Sequence, residues 1–213
     1  DPASFKAYQD KQSAMTANLL SNPQFYFSNE YSKFLQQKNP RFTNVIPLTE
    51  DWAKADYKKA YEIYKERFAN AGNFHFYFVG NLDETQLKEY ATQYLGSLPA
   101  TGKATSFKDN GYRSVTGNFN KVYKKGKDPK SLVVISYAGE APYNEKEALA
   151  LSALGEVATI KVIEKLREEE SGIYGGGARG SMTKVPYGMY QFSLQIPCGP
   201  ENADKLTKSA LAE

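Results

Sequence analysis

Arg167 and Tyr174 share the stretch LREEESGIYGGGARG (166–180) with a run of three glycines. Beyond it the reactive inventory is short: one histidine, His75, and one cysteine, Cys198. A glycine run can cradle phosphate. A P-loop, however, needs Lys-Ser/Thr directly after its glycines and a helix opening there, and a dinucleotide fingerprint needs a strand before it and a helix after it. GGGARGSM follows a predicted helix and enters a predicted strand, so phosphate is set aside. One His and one Cys far apart do not supply the three protein ligands that even catalytic zinc sites use. No serine or cysteine sits in a nucleophile motif that could draw on His75. Within FHFYF, His75 reads as a sheet histidine hydrogen-bonded to a neighbour. Glu168–Glu170 read as a solvated helix end, unfavourably placed for the helix dipole and able to neutralise or orient Arg167. Lys124, Lys125, Lys127 and Lys130 read as a soluble basic turn, because no aromatic residues interleave them as in a nucleic-acid surface.

The elements that must position these residues follow from periodicity. Residues 3–20 and 24–37 read as helices separated by the stop Asn22-Pro23. Residues 50–70 give the clearest helix, with Tyr57, Ala60, Tyr61, Tyr64 and Phe68 on one stripe and Thr49 as its cap. NFHFYFVGN (73–81) reads as a strand apolar on both faces. Asp83 and Gln86 resemble a capping box ahead of a helix carrying Leu87, Tyr90, Ala91 and Tyr94. Residues 113–124 and 131–138 read as strands joined by KKGKDPK, and 144–168 as a long helix. Residues 172–182 and 187–196 read as a second strand pair turning near Lys184–Pro186. In its last strand Tyr190, Phe192, Leu194 and Ile196 alternate with Gln191, Ser193 and Gln195, which predicts one buried and one wet face. Pro200 opens a final helix at its first position.

Adjacent strand pairs predict an α+β class with antiparallel or mixed sheets covered by helices. The expected division is 1–100, a linker at 101–111 within the Gly/Pro/Ser/Thr/Lys-rich stretch 96–111, and 112–213. With 213 residues the chain can bury a sizeable core without disulfide or metal. A net charge of +3, from 27 basic and 24 acidic residues, argues against nucleic acid as a partner. No apolar run approaches the length of a membrane span. The single cysteine excludes an internal disulfide. The first helix lacks the strands it should cover and the last pattern breaks off, so the expectation is a piece of a longer polypeptide. Uncovered sheet edges invite pairing, and a homodimer of the isolated chain is a further expectation.

Four stretches in order resemble the pitrilysin/insulinase (inverzincin) family of zinc metallopeptidases, nearest its bacterial members. They are FHFYFVGNLDETQLKEYATQYLGSLP (74–99), DPKSLVVISYAG (128–139), LREEESGIY (166–174) and YGMYQFSLQIPCGPENADKL (187–206). The resemblance implies repeated α+β domains forming two halves that close around a peptide. One half carries His-x-x-Glu-His and a downstream glutamate, which hold zinc; the other has lost them. This chain has no His-x-x-Glu-His, and no glutamate precedes Glu30. It therefore resembles the metal-free half: the end of one repeat followed by the start of the next. What this implies is a segment inert by itself that binds no metal, with zinc held elsewhere in the parent. The expected partners are a peptide substrate and the zinc-bearing half of the same polypeptide. Arg167 and Tyr174 are the implied substrate-binding residues, and a periplasmic or bacterial-envelope location is implied with them. The competing reading is an inactive relative serving as a binding or assembly subunit. His-x-x-Glu-His in the parent sequence would separate the two.

Overall fold

The computed structural model describes residues 1–36, 39, 41, 44–102, 105–169, 173 and 175–213. It divides into two compact units. The first comprises Asp1–Leu20 with Ile46–Phe107, and the second Ser21–Val45 with Lys108–Glu213.

In the first unit, α1 (Pro2–Thr16) begins at Asp1, whose carboxylate accepts from the Ala3 N–H at 3.1 Å. The single helix expected over 50–70 is two helices, α3 (Thr49–Ala53) and α4 (Tyr57–Phe68). Asp56 causes the break: its carboxylate caps α4 by accepting from the Lys59 N–H at 3.0 Å. Thr49 is the first helical residue rather than the cap, and the Asp51 carboxylate instead accepts from the Leu48 N–H at 2.8 Å. Trp52 ties α3 to α1. Its indole N–H donates to Thr16 Oγ1 at 3.1 Å, and its ring meets Tyr8 edge-on at 6.1 Å. Trp52→Phe keeps an aromatic ring, though a smaller one, and removes the donor. It should cost about 1 kcal/mol, read as a lower urea midpoint with unchanged far-UV dichroism.

The α4 stripe stacks on itself, Tyr57 to Tyr61 to Tyr64 to Phe68, with centroids 6.3, 6.4 and 4.7 Å apart. It continues to Phe74 at 5.5 Å and from there to Phe76 at 6.3 Å. Asp83 caps α5 (Glu84–Tyr90) by accepting from the Gln86 N–H at 3.0 Å. A π-helical turn, Ala91–Leu95, extends it. The strand expected at 73–81 is not paired. Residues 74–79 lie outside any sheet, and among the described residues nothing accepts from or donates to the backbone of 75–79. His75 accordingly has no hydrogen-bond partner among the described residues; its exposed ring lies 6.4 Å from that of Tyr77.

In the second unit, β1 (Ser131–Glu140), β2 (Gly177–Thr183) and β3 (Met189–Cys198) form an antiparallel sheet in the order β1-β3-β2. The expected strand at 113–124 does not join it. That stretch lies along α2 (Pro23–Gln36), with Phe119 on Phe34 at 5.1 Å and Tyr123 near Phe27 at 6.0 Å. The Val115 N–H donates to the Leu35 carbonyl, and Gly117 at φ 119° breaks the extended run. The alternation expected in β3 holds in its second half: Leu194 and Ile196 are buried against Val162, Leu166, Ile173 and Leu206 with Gln195 exposed between them, whereas Tyr190, Gln191, Phe192 and Ser193 are all half-buried. These residues come from α6 (Glu145–Ile163), its π-helical continuation Glu164–Glu169, the loop before β2, and α7 (Ala203–Ala212). Each such buried aliphatic side chain contributes roughly 1.5–3 kcal/mol.

Arg113 clasps the approach to this sheet. It donates to Asp109 through both guanidinium ends (2.9 and 2.8 Å), to Glu140 at 2.9 Å, and lies 3.9 Å from the Tyr187 ring centroid. The guanidinium, with the Gly111 N–H, holds the Asp109 carboxyl below its ordinary 3.8. A carboxyl depressed in the folded state stabilises above its unfolded pKa, and that contribution is lost as pH falls through the folded value. The stability difference between wild type and Asp109→Asn should therefore persist at pH 7 and shrink as pH drops below 3.8, measured by urea denaturation at each pH.

Candidate functional site

The stretch singled out by sequence begins where α6 ends. Leu166 is fully buried and Ile173 nearly so, and these two side chains pin both ends of the corner between α6 and β2. Arg167 follows Leu166 in the π-helical turn, with its side chain exposed. Tyr174 lies outside the described residues, as do Glu170, Ser171 and Gly172. The acidic run expected at this helix end is thus described only in the backbone of Glu168 and Glu169.

The glycines after the corner serve close packing between α6 and β2. A Cβ on Gly180 would fall 2.2 Å from the Leu151 carbonyl oxygen, and one on Gly177 would meet Thr159 Oγ1 at 3.2 Å. From the helix side, a Cβ on Gly155 would come within 2.9 Å of the Gly180 nitrogen. Gly176 adopts φ 128° and sits where a Cβ would be 2.6 Å from the Gln195 carbonyl oxygen. A helix and a strand approach this closely only where neither carries a side chain. Thr159 uses the closeness. Its Oγ1 accepts from the Ala178 N–H at 2.8 Å, and its one hydroxyl hydrogen is shared between the carbonyls of Gly155 at 2.8 Å and Ala178 at 3.1 Å. The side chain satisfies backbone groups of β2 that β3 leaves unbonded. Thr159→Val keeps the shape and deprives the Ala178 N–H of its acceptor. It should cost about 1–3 kcal/mol, whereas Thr159→Ser should recover most of the loss in the same denaturation experiment.

Sequence reading left Gly155 and Thr159 unmarked. The signal was an isolated glycine inside a helical pattern, which signifies close packing when it is kept there.

The sheet presents two unlike faces. Ala178, Phe192, Leu194, Ile135 and Tyr137 line an apolar cavity of about 230 Å³ shared with α6 and α7. On the other face the register sets Arg179 across from Ser193 and Ser193 across from Ser136, with Ser181 across from Gln191. That row is short and polar, with exposed Arg179 as its cation. A second cavity, about 350 Å³, lies in the first unit between Phe5, Tyr8, Trp52 and Ile63. Arg167 lines neither cavity.

Among the described residues no constellation for metal or nucleophilic catalysis is formed. Among the described residues no three His, Cys, Asp or Glu side chains converge. With one histidine and one cysteine, the donor set does not fit a zinc site. Burial, with the Glu201 carboxylate adding, pushes the Cys198 thiol up, away from the thiolate a nucleophile requires. Among the described residues no helix is long and apolar enough to cross a membrane.

Comparison with known proteins places this arrangement. Residues 54–213 match the family model described as the peptidase M16 inactive domain. No curated protein matches the chain significantly. Among solved structures, the periplasmic protease PqqL from Escherichia coli superposes with a TM-score of 0.78 at 21% identity, over 98% of this chain and 23% of that one. The ferredoxin protease FusC, solved as a point mutant in complex with Arabidopsis ferredoxin, gives 0.72 at 16% identity, over 100% of this chain and 23% of that one. A peptidase M16 inactive domain from Pseudomonas fluorescens gives 0.66 at 16% identity, over 100% of this chain and 50% of that one. The chain thus spans about a quarter of the length of the two proteases. At these identities the superpositions establish the fold, an α+β architecture shared with M16 peptidases. The family match covers most of the chain, and the chain belongs to the peptidase M16 family through its inactive domain.

Proposed function

We propose that this chain is the non-catalytic part of a bacterial zinc-dependent peptidase. It walls the substrate chamber and binds peptide through Arg167 and Tyr174 while a zinc site elsewhere in the same polypeptide cleaves it. The observation that carries this reading is the match of residues 54–213 to an inactive peptidase domain, in a chain whose own donors do not fit zinc. The position of Arg167 supports it. An exposed guanidinium beside a fully buried Leu166 stands on a fixed base, and its planar fork suits a peptide carbonyl or carboxylate. A tyrosine hydroxyl at 174 can donate to the oxyanion of a tetrahedral intermediate. The α6–β2 packing serves the same end by making the support of the corner rigid. On this reading residues 1–100 close one repeat, 101–111 link, and 112–213 open the next. The periplasm is the proposed compartment, supported by the printed location of PqqL.

The test is peptide hydrolysis by the intact polypeptide carrying Arg167→Ala or Tyr174→Phe. Unchanged kinetics in both would overturn the assignment of these residues. An intact parent without zinc-dependent peptidase activity would favour the assembly-subunit reading instead.

A further inference from the structure

The run NKVYKKGKDPK (120–130) holds five lysines and one acidic residue. Its lysines at 124–130 have no aromatic residue between them, but the fold brings rings to the run from α2. Residues 119–126 lie antiparallel along that helix. Phe119 and Lys121 meet Phe34, Tyr123 meets Phe27, and Lys125 meets Tyr26. Gly126, at φ 86°, presses on Pro23, whose Cγ would be 2.6 Å from a Cβ placed there. Lys121 Nζ stands 5.5 Å from the Phe34 ring centroid, and Lys125 Nζ 5.3 Å from that of Tyr26. A ring beneath an ammonium holds it in place without cancelling its charge.

No carboxylate cancels that charge either. Lys121, Lys124, Lys125 and Lys127 are exposed and form no ion pair among the described residues. Glu30, the acid of α2, is taken by Lys33 at 2.9 Å, and Asp128 pairs with Lys130 at 3.9 Å. Like charges this close in sequence repel one another, and an opposing polyanion relieves the repulsion.

The charges are strung out rather than convergent. Tyr26 and Phe34 are eight residues apart on α2. The two ring-held ammoniums are therefore about 12 Å apart along the helix, the length of about four residues of extended chain. Such a line does not enclose a small anion. The rings lie under lysines rather than open to stacked bases, which disfavours a nucleic acid. Attraction of a basic segment to an anionic bilayer is diffuse and gains nothing from ammoniums fixed at a set spacing. An extended acidic peptide does gain, because its carboxylates meet charges already in place.

We propose that Lys121, Lys124, Lys125 and Lys127 form a docking strip for an acidic, extended segment of the peptide substrate. The strip selects substrates by their negative charge. This rests on the reading of the chain as peptide-binding, and adds to it the class of substrate and the residues that choose it.

The test is fluorescence anisotropy with the intact parent polypeptide and two labelled peptides, one carrying a run of glutamates and the other glutamines in their place. At low salt the glutamate peptide should bind about tenfold tighter, and the preference should vanish near about 1 M salt, where screening acts within about 3 Å. Lys121→Gln, Lys124→Gln, Lys125→Gln and Lys127→Gln together should abolish the preference with dichroism and Tm unchanged, and the corresponding four Lys→Glu changes should invert it. Equal binding of the two peptides by wild type, or a preference that survives the folded glutamine variant, would overturn the strip alone. Binding of neither peptide would overturn the peptide-binding reading and the strip with it. Phosphatidylglycerol vesicles or an oligonucleotide bound more tightly than the glutamate peptide, and lost in the glutamine variant, would overturn the proposal by assigning the lysines to a membrane or a nucleic acid.

Discussion

Gly180→Ala is expected to destabilise the second unit strongly. The new Cβ would be 2.2 Å from the Leu151 carbonyl oxygen and 2.7 Å from its Cγ. The first of these is backbone in the middle of α6, so no side-chain rotation relieves it. Either α6 lifts away from β2, stretching the Thr159 bonds to Ala178, or β2 slides from β3. Overpacking of this kind costs about 1–3 kcal/mol and occasionally more. The upper part of that range applies because the obstructing atom is main chain. For a domain of this size the loss corresponds to a Tm lower by roughly 4–12 °C, measurable by calorimetry. Gly175→Ala is the control: nothing lies within 4 Å of the added Cβ and its φ is not in the left-handed region, so its Tm should hardly move.

The second large effect concerns substrate. In the intact polypeptide, Arg167→Ala removes a charged donor fork and should raise KM for peptide about tenfold to a hundredfold, the range for hydrogen bonds to charged groups. On the proposed reading Tyr174→Phe removes one donor to a developing oxyanion and should lower kcat about a hundredfold with KM little changed. The split between KM and kcat separates binding from transition-state support. Circular dichroism and Tm should stay at wild-type values, since Arg167 is exposed. A fall in Tm matching the fall in activity would instead make Arg167 a structural residue of the α6 corner.

Most of the fold was legible where one segment contained its own signal. Asp83 before α5, the alternation of residues 194–196 in β3 and the stripe of α4 each carry their period or cap within a few residues, and each stands where expected. The break at Asp56 was harder, because the apolar stripe runs on through it and only the capping carboxylate marks it. The two unpaired segments show the limit of pattern reading. FHFYFV and the stretch at 113–124 have the composition of strands, but composition does not say who pairs with them. At the site, the sequence located the corner and its glycines. It left open whether a ligand or a neighbouring backbone fills the space beside them. In Gly177 and Gly180 the answer is α6, through Thr159 and Leu151.

On the proposed function this chain lends binding groups to chemistry it does not contain. The most direct measurement is peptide hydrolysis by the isolated 213-residue chain and by the intact parent polypeptide, each assayed with zinc and with a chelator. The account predicts no cleavage by the isolated chain in either condition and chelator-sensitive cleavage by the parent. Zinc-dependent cleavage by the isolated chain would contradict it.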